Sequence, residues 1–432
     1  MIHIVQQKID YDICIIGGGA SGMTAAIIAA ETNPNASICV IEKKEGLGKK
    51  LLATGNGRCN ITNNRCEDFT LTKDFLYNHG ILIKHEAEGR MYPRSEQAAS
   101  VLRLLEEQIK RLHVHVECGM NVGSILKKQE HFEINIEQAA VQRQLVCRKL
   151  LIATGGKAAP QFGTTGDGYN FARSLGHHVE KLAPSLMPIC CEGIEKELKG
   201  VRVKAKVCLL KNGQPLALAG GCESARLHPE IGAVVEELGE VQFTEDGLSG
   251  ICIFNLSRFL KLEAKDQKIN AIEQAFRQYQ IEIDLVPEMD QEEITNLLSN
   301  RKKIMSALPL KTLLLSLVPV QLGERCLRVI IGERWRELNI AEITDAQINK
   351  LVGLLKKSSY TVTGGKGWKS AQCTAGGVSL QEVNIETMES KLIQGLFFAG
   401  EVLDYDGPCG GYNLQHAWVT GMKAGEAMAR EI

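Results

Sequence analysis

Three glycines near the beginning of the chain have the spacing of a phosphate-binding turn. Gly17, Gly19 and Gly22 form the pattern G-x-G-x-x-G. A side chain at the first position would obstruct a tight turn, one at the second would fill the space of a pyrophosphate, and one at the third would separate a helix from a strand. We therefore predict a dinucleotide site here, with an ordinary glycine-rich turn as the alternative.

The segments around these glycines favour the dinucleotide interpretation. The apolar residues 12–16 predict a buried strand, and the alanine-rich segment that begins at Ala20 predicts a helix whose first backbone N–H groups, near Ser21, face the phosphates. Residues 37–41 predict a second strand that leads to Glu42, 25 residues after Gly17. A carboxylate at that position accepts hydrogen bonds from the ribose hydroxyls of a dinucleotide.

The next segment combines glycines with cations. Residues 42–63 are predicted to be a loop, in which Lys49, Lys50 and Arg58 lie beside the pyrophosphate. A basic loop that only faces water is the alternative.

Later apolar segments are expected to complete the same site. The backbone near Val122 is expected over an adenine, and the strand over 150–156 is expected to end close to the ligand. The glycine-rich segment 163–169 could either contact the nucleotide or only form a loop and helix cap, and the sequence favours neither role. A last strand over 395–401 precedes a helix whose small residues are expected to pack against a sheet, with room for a ligand at Gly410.

The middle of the chain has a different pattern. Short alternating segments over 201–210, 215–219, 234–243 and 281–285 predict a small antiparallel barrel or sandwich. Residues 290–357 have helical spacing, which indicates a second insertion.

Composition limits the possible functions only weakly. The 432 residues suggest two or three compact units, and the formal net charge of −1 provides no overall attraction to nucleic acid or to an anionic membrane. Fourteen cysteines without a metal-binding or redox spacing predict reduced thiols and no metal site. The first eight residues lack the apolar core of a signal peptide, so we expect a cytoplasmic protein.

In combination, the motifs of this chain resemble the YhiN-like or BaiN-like FAD-dependent flavoproteins, a family of NAD(P)/FAD-dependent oxidoreductases that includes aminoacetone oxidases. The motifs that carry the resemblance are Gly17 to Gly22, Gly48 to Asn63, Ala153 to Gly156, Thr165 to Gly168, Thr374 to Val378, Thr387 to Lys391, Gly400 to Asp404 and Cys409 to Gln415.

The resemblance implies an α/β fold with a Rossmann-like FAD-binding domain of the glutathione-reductase type. This domain would comprise residues 1–188 and 373–432 and would be interrupted by a β-barrel-like domain. The barrel would comprise residues 189–287 and a return strand within 358–372, with a helical insertion over 288–357.

The resemblance also implies where FAD binds. Glu42 would bind the adenosine ribose, residues 58–60 with Asn413 and Leu414 would lie near the flavin, and Glu401 would hold the ribityl chain. The full set of expected cofactor-binding residues is Gly17, Gly19, Ala20, Ser21, Gly22, Glu42, Lys43, Lys50, Arg58, Cys59, Asn60, Val122, Ala153, Thr154, Gly155, Gly400, Glu401, Asn413 and Leu414.

The expected chemistry is hydride transfer through flavin N5 to or from a small organic substrate. We expect NAD(P)H-linked reduction of an unsaturated carbonyl compound, with NAD(P)H as a transient co-substrate because the sequence contains no second G-x-G-x-x-G unit. Catalytic residues are not identified by the sequence, although Tyr412 or Arg58 could supply a proton.

Three alternatives remain open at this point: an oxidase of a small amine that uses oxygen, an RNA-modifying flavoprotein, and a flavin-binding sensor without turnover. We expect a small-molecule substrate and no nucleic-acid or membrane partner. Glu245 and Ile251 depart from the family pattern, which has histidine and proline there, so a relative's substrate cannot simply be assigned to this chain.

Overall fold

The computed structural model describes residues 9–138, 141–217, 234–260, 274–430 and 432. The chain forms two units, one from the residues up to Ser185 and from Trp368 onward, the other from Leu186–Gly367. The first is called the sheet unit here and the second the barrel unit. The first eight residues and the end of the strand predicted over 215–219 lie outside the described residues.

A seven-stranded sheet forms the centre of the sheet unit. Its order is β6-β2-β1-β9-β8-β7, and β19 also pairs with β9. The strands β1, β2, the end of β9 and β19 are parallel and apolar, as expected for strands that are covered on both faces, while β6 continues the parallel pairing at the sheet edge and exposes His115. The strands are β1 Tyr11–Ile16, β2 Ile38–Glu42, β6 His115–Cys118, β7 Asn121–Lys127, β8 Phe132–Gln138, β9 Val141–Ile152 and β19 Leu396–Phe398.

Helices and two small sheets complete this unit. In one small sheet β5 lies between β3 and β4 and pairs with both, and in the other β10 pairs with β18. The helices are α1 Ala20–Thr32, α2 Lys49–Ala53, α3 Phe69–Asn78, α4 Ala98–Arg111, α5 Asp167–Ser174 and α10 Tyr412–Arg430; the remaining strands are β3 Thr62–Asn63, β4 Ile83–His85, β5 Arg90–Pro93, β10 Ala183–Ser185 and β18 Cys373–Ala375.

Two expectations about this unit are wrong in detail. Residues 42–63 are not only a loop, because α2 forms within them and buries Leu51 in the core. The small residues of α10 pack against α1 rather than against a sheet: an added Cβ at Gly421 would lie 2.5 Å from the Ser21 carbonyl oxygen, and one at Gly425 would lie 2.4 Å from that of Ala25.

The barrel unit is closed by hydrogen bonds. Six antiparallel strands run in the order β12-β14-β15-β11-β17-β16, and β16 pairs back with β12, while β13 forms a hairpin with β12. The interior contains the apolar side of each strand, for example Val207, Ile281 and Val362. The strands are β11 Ile189–Cys191, β12 Arg202–Lys211, β13 Gln214–Pro215, β14 Glu236–Phe243, β15 Gly247–Ser249, β16 Tyr279–Asp284 and β17 Ser358–Gly365.

Helix α6 Ile251–Ser257 follows β15, and the α-helices α7 Gln291–Ile304, α8 Val320–Ile331 and α9 Asp345–Lys356 lie between β16 and β17. Side-chain capping hydrogen bonds stabilise the N-terminal ends of two of these helices. The Asp290 carboxylate accepts the Glu293 N–H at 2.8 Å, while Glu293 accepts the Asp290 N–H in return. Thr344 and Gln347 form the same arrangement at α9.

The predicted α/β class, with a Rossmann-type domain and an antiparallel barrel that contains a helical insertion, is confirmed. The predicted limits of the five domain segments stay predictions. Within the described ranges, the structure contains no helix that is both long and apolar enough to cross a bilayer.

Candidate functional site

The glycine turn between β1 and α1 has the geometry that its sequence predicts. Gly17 has φ +107°, and an added Cβ would lie 2.4 Å from the Ala153 carbonyl oxygen. An added Cβ at Gly22 would lie 1.9 Å from the Gly17 carbonyl oxygen. Gly19, by contrast, has nothing within 4 Å of an added Cβ. The first and third glycines are therefore required by the fold, whereas the second keeps a space free that the protein does not fill.

The start of α1 adjoins this space. Gly19 is the N-cap of the helix, no side chain caps it, and the first turn contains no acidic residue. The N–H groups at Ala20 and Ser21 thus belong to a helix end that favours an anion. The Ser21 hydroxyl is turned away from this role, because it donates to the Ala399 carbonyl oxygen at 3.4 Å.

Glu42 ends β2 beside the same turn. One carboxylate oxygen accepts the Gly18 N–H at 2.8 Å and the other accepts the Lys44 N–H at 2.7 Å. These two bonds fix the orientation of the carboxylate, and each oxygen keeps acceptor capacity for the hydroxyls of a ribose.

A second acid is held in the same unit, close to the end of β19. The Glu401 carboxylate accepts a hydrogen bond from the Lys50 ammonium at 2.6 Å and another from the Thr374 N–H at 2.9 Å. An added Cβ at Gly156 would lie 2.5 Å from a Glu401 carboxylate oxygen. Lys50 and Glu401 are thus brought together as an ion pair, although the sequence suggested separate roles for them.

Two other predicted cations, Lys43 and Arg58, are also paired with acids, whereas Lys49 is exposed. The Lys43 ammonium donates to Asp167 at 2.8 Å and to the Thr165 hydroxyl at 3.1 Å. Arg58 donates to Glu86 at 2.5 Å and to Glu96 at 3.0 Å.

The position of Arg58 weakens its candidacy as a proton donor. Its guanidinium lies 4.3 Å from the centre of the Tyr92 ring, and the hydrogen bond to Glu86 raises the pKa of Arg58 further above its already high value. This cation therefore retains its proton.

Cys59 and Asn60 lead from Arg58 into β3. Burial raises the pKa of the Cys59 thiol to about 12, so this side chain is a buried hydrophobe and not a nucleophile. With the Asn60 amide assigned so that its nitrogen faces the carbonyl oxygens of Met91 and Thr62, it donates to both at 3.2 Å.

The end of β9 lies beside the glycine turn. Ala153 donates its N–H to the Ile16 carbonyl oxygen at 2.8 Å. Thr154 and Gly155 continue from it, and Gly155 has φ +71°. Val122 lies on β7, at an irregularity in the pairing with β8, and Met120 shortly before it donates to the Glu42 carbonyl oxygen at 3.0 Å.

The start of α10 contains buried polar atoms that lack partners. The Asn413 amide is satisfied by the Gly407 backbone, at 2.9 Å and 3.0 Å, and Leu414 is half-buried. Among the described residues, however, the Gln415 Nε2 and His416 Nε2 atoms are buried without a hydrogen-bond partner. Burial lowers the pKa of His416 to about 4, so its ring is neutral. It stacks on Tyr405 at 4.1 Å.

These observations fit a dinucleotide such as FAD. An open space lies at Gly19, an uncapped helix start adjoins it, an oriented carboxylate stands at Glu42, and unpaired polar atoms lie at the start of α10. All nineteen residues expected at the cofactor belong to the sheet unit. Their cofactor contacts remain proposals.

Thr374 and Gln415 also belong to this site, although the sequence did not indicate a role for either of them. The Thr374 hydroxyl accepts the N–H groups of Lys157 and Ala158 at 2.8 Å and 3.0 Å, and so fixes the segment after β9. The Thr62 hydroxyl donates to Gln415. Both residues lie within family motifs, and membership of a motif was the available signal.

Two departures from the family pattern lie in the barrel unit. Glu245 is exposed and pairs with Lys199 at 2.8 Å, and Ile251 is a partly exposed residue at the start of α6.

One group has the composition of a metal site, which the sequence did not predict. Ligand atoms of Cys39, His115 and Glu117 lie within 4.8 Å of one another, but Glu117 is already paired with Arg143.

Comparison with known proteins extends over nearly the whole chain. The family model of the HI0933-like protein Rossmann domain matches residues 11–74 and 68–427. The chain is 33% identical over 443 residues to 3-dehydro-bile acid delta(4,6)-reductase from Clostridium scindens, which covers 96% of this chain and 98% of that protein. It is 26% identical over 435 residues to ribosomal RNA dihydrouridine synthase from Haemophilus influenzae, again covering 96% and 98%.

A solved structure is also similar over most of the chain. It is a 3-ketosteroid-delta4-(5alpha)-dehydrogenase from Rhodococcus jostii, which matches with a TM-score of 0.48 and 16% identity over 98% of each chain.

Proposed function

The chain is an FAD-dependent oxidoreductase that belongs to the HI0933-like Rossmann family, and we propose that it reduces a carbon–carbon double bond conjugated with a carbonyl group. The observation that carries the proposal is the chemistry named in its full-length relatives. One name describes reduction at positions 4 and 6 of a 3-oxo bile acid, and the other describes a uridine whose ring double bond has been reduced. Both reactions deliver two hydrogens across a double bond next to a carbonyl.

We assign the residues of the sheet unit as follows. The turn at Gly17 to Gly22 and the start of α1 bind the pyrophosphate, and Glu42 binds the adenosine ribose. Glu401, held by Lys50 and Thr374, binds the ribityl chain. When bound, FAD supplies a hydride from its N5 position.

The chain must then supply a proton. Hydride adds to the carbon of the double bond that is further from the carbonyl group, and the negative charge then resides on the carbonyl oxygen. The other carbon of the double bond, which is attached to the carbonyl carbon, takes up a proton. We assign this donor role to Tyr412, the first residue of α10. A tyrosine phenol is protonated at neutral pH, and because burial raises the pKa of Tyr412 further, its hydroxyl keeps a proton available for transfer.

We propose NADH or NADPH as the source of electrons. The sequence has a single strand, glycine turn and helix of the dinucleotide-binding type. A nicotinamide donor would therefore bind transiently and leave before the acceptor binds.

The second candidate is reduction of uracil in RNA, which the 26% identity to a ribosomal RNA dihydrouridine synthase over 96% of the chain favours. The formal net charge of −1 and the 33% identity to a bile acid reductase support the small-molecule substrate instead.

The test is anaerobic reduction of the FAD-loaded protein by NADH and by NADPH, followed by addition of one acceptor at a time. We expect NADH or NADPH to bleach the flavin rapidly, and we expect a 3-oxo-4-ene steroid to restore its absorbance. Recovery with a uridine-containing ribosomal RNA fragment alone would favour the second candidate. Recovery only with oxygen would contradict both and indicate an oxidase.

A further inference from the structure

The barrel unit contains buried hydrogen-bond donors for which the described residues provide no acceptor. Arg325, on α8, places its guanidinium carbon 5.2 Å from the centre of the Tyr360 ring, on β17. The Arg325 side chain is 12% exposed and Tyr360 is 2% exposed. Helix and barrel thus meet at a cation and a phenol that are both almost fully removed from water.

The hydrogen bonds of this group are incomplete. Among the described residues, Arg325 Nε, Arg325 Nη1 and the Tyr360 hydroxyl are buried and have no hydrogen-bond partner. Arg325 Nε lies 3.4 Å from a Glu195 carboxylate oxygen, which is close enough for charge attraction but not aligned for a hydrogen bond. A buried donor without an acceptor destabilises the folded state, and the effect is larger when the donor is charged.

The charges of the group are also unbalanced. Glu195 pairs with Arg328 through its other oxygen, so one carboxylate serves two guanidinium groups. The charged groups that influence the nearby Cys326 thiol are Arg325 and Glu195. The cluster of Arg325, Arg328 and Glu195 therefore carries one net positive charge.

The missing partner must be an acceptor. A guanidinium only donates, and burial raises the pKa of Tyr360 to about 12, so the phenol remains a donor at neutral pH. Water could accept these hydrogen bonds but would leave the charge unbalanced. We propose that a small monovalent anion, of the class of chloride, bromide or formate, binds between Arg325 and Tyr360 and joins α8 to the barrel.

The test uses the FAD-loaded full chain and measures its thermal unfolding midpoint in sodium chloride, in sodium bromide and in sodium gluconate at the same ionic strength. The midpoint should rise and saturate with the two halides, because binding to the folded state alone stabilises it, and should not do so with the larger gluconate. A Tyr360→Phe variant should need at least about tenfold more halide for half of the effect, since it loses a hydrogen bond to a charged group.

The matched control is Tyr279→Phe, which removes the hydroxyl of another buried barrel tyrosine, on β16. It should keep the halide response of the unaltered protein. An equal response to gluconate, or an unchanged halide requirement in Tyr360→Phe, would overturn the proposal. So would crystals grown in bromide that show water and no anomalous peak between Arg325 and Tyr360.

Discussion

At the scale of single residues, the three glycines of the first turn differ in what they contact. Gly22 is packed against backbone, so the protein itself requires a glycine there, whereas Gly19 faces open space. Only the second position therefore reports on the ligand without disturbing the fold.

We expect Gly19→Ala to fold normally, because its φ of −79° suits alanine and the new methyl group meets no protein atom. FAD affinity should fall about 5- to 150-fold, since overpacking of this size costs about 1–3 kcal/mol. Isothermal titration with FAD and thermal unfolding of the apoprotein separate the two effects. Gly22→Ala is the contrasting variant and should lower stability itself. Unchanged FAD affinity in Gly19→Ala would show that the pyrophosphate does not bind at this position.

Tyr412→Phe should slow reoxidation of the reduced flavin by the unsaturated acceptor by about 10²–10⁴-fold, which is the usual contribution of a general acid. Reduction by NADPH should change little, because that step needs no proton from the protein. Stopped-flow absorbance resolves the two half-reactions. Tyr405→Phe, in the preceding loop, is the control, and a loss confined to that variant would contradict the assignment to Tyr412.

His416 should make stability depend on pH. Its pKa is lowered from 6.5 to about 4 in the folded protein, so the unfolded chain binds the additional proton between these values and stability falls as pH drops through this range. From pH 7 to pH 5 the contribution is about 2 kcal/mol. Urea unfolding at both pH values should show a smaller loss in His416→Gln than in the unaltered protein. His85→Gln, at an exposed histidine, should behave like the unaltered protein, and an equal loss in all three proteins would contradict the expectation.

At the scale of elements, the close contact of α10 with α1 depends on glycines in the middle of α10. Gly425→Ala should lower the free energy of unfolding by about 1–3 kcal/mol, because the new methyl group would lie 2.4 Å from the Ala25 carbonyl oxygen and overpacking has this cost. Urea unfolding followed by tryptophan fluorescence measures the change.

Gly353→Ala in α9 is the control, because that position is open and alanine favours a helix interior by about 1 kcal/mol. It should be neutral or stabilising. If both variants behaved alike, helix propensity rather than contact with α1 would decide the result.

Elements with regular patterns were predictable from the sequence, and those that depend on long-range contacts were not. The periodicity over 345–356 matches α9, because its cap and its buried side are local. The five-residue helix at Lys49–Ala53 was missed, since its glycine-rich flanks predict a loop and its stability comes from burying Leu51. The ion-pair partners of Lys50 and Arg58 could not be predicted from the sequence either, because Glu401 is 351 residues away from Lys50 and Glu86 is 28 residues away from Arg58.

At the scale of the whole molecule, chain order and spatial order differ. The sheet unit takes strands from both ends of the chain, and the barrel unit is inserted between them. Because β9 and β19 are adjacent in the sheet, residues near 153 and near 400 reach the same edge as the first glycine turn. The sequence indicated this arrangement through its family motifs, whereas closure of the barrel through β12 and β16 required the structure.

The central claim is that the bound flavin delivers hydride to a double bond conjugated with a carbonyl. The most direct measurement reduces the FAD-loaded protein photochemically, without nicotinamide and without oxygen, and mixes it with a 3-oxo-4,6-diene steroid. We predict that flavin absorbance recovers in a single turnover and that the steroid gains two hydrogens, seen by mass spectrometry. A flavin that stays reduced with the steroid unchanged, and reoxidises only when oxygen is admitted, would contradict the claim.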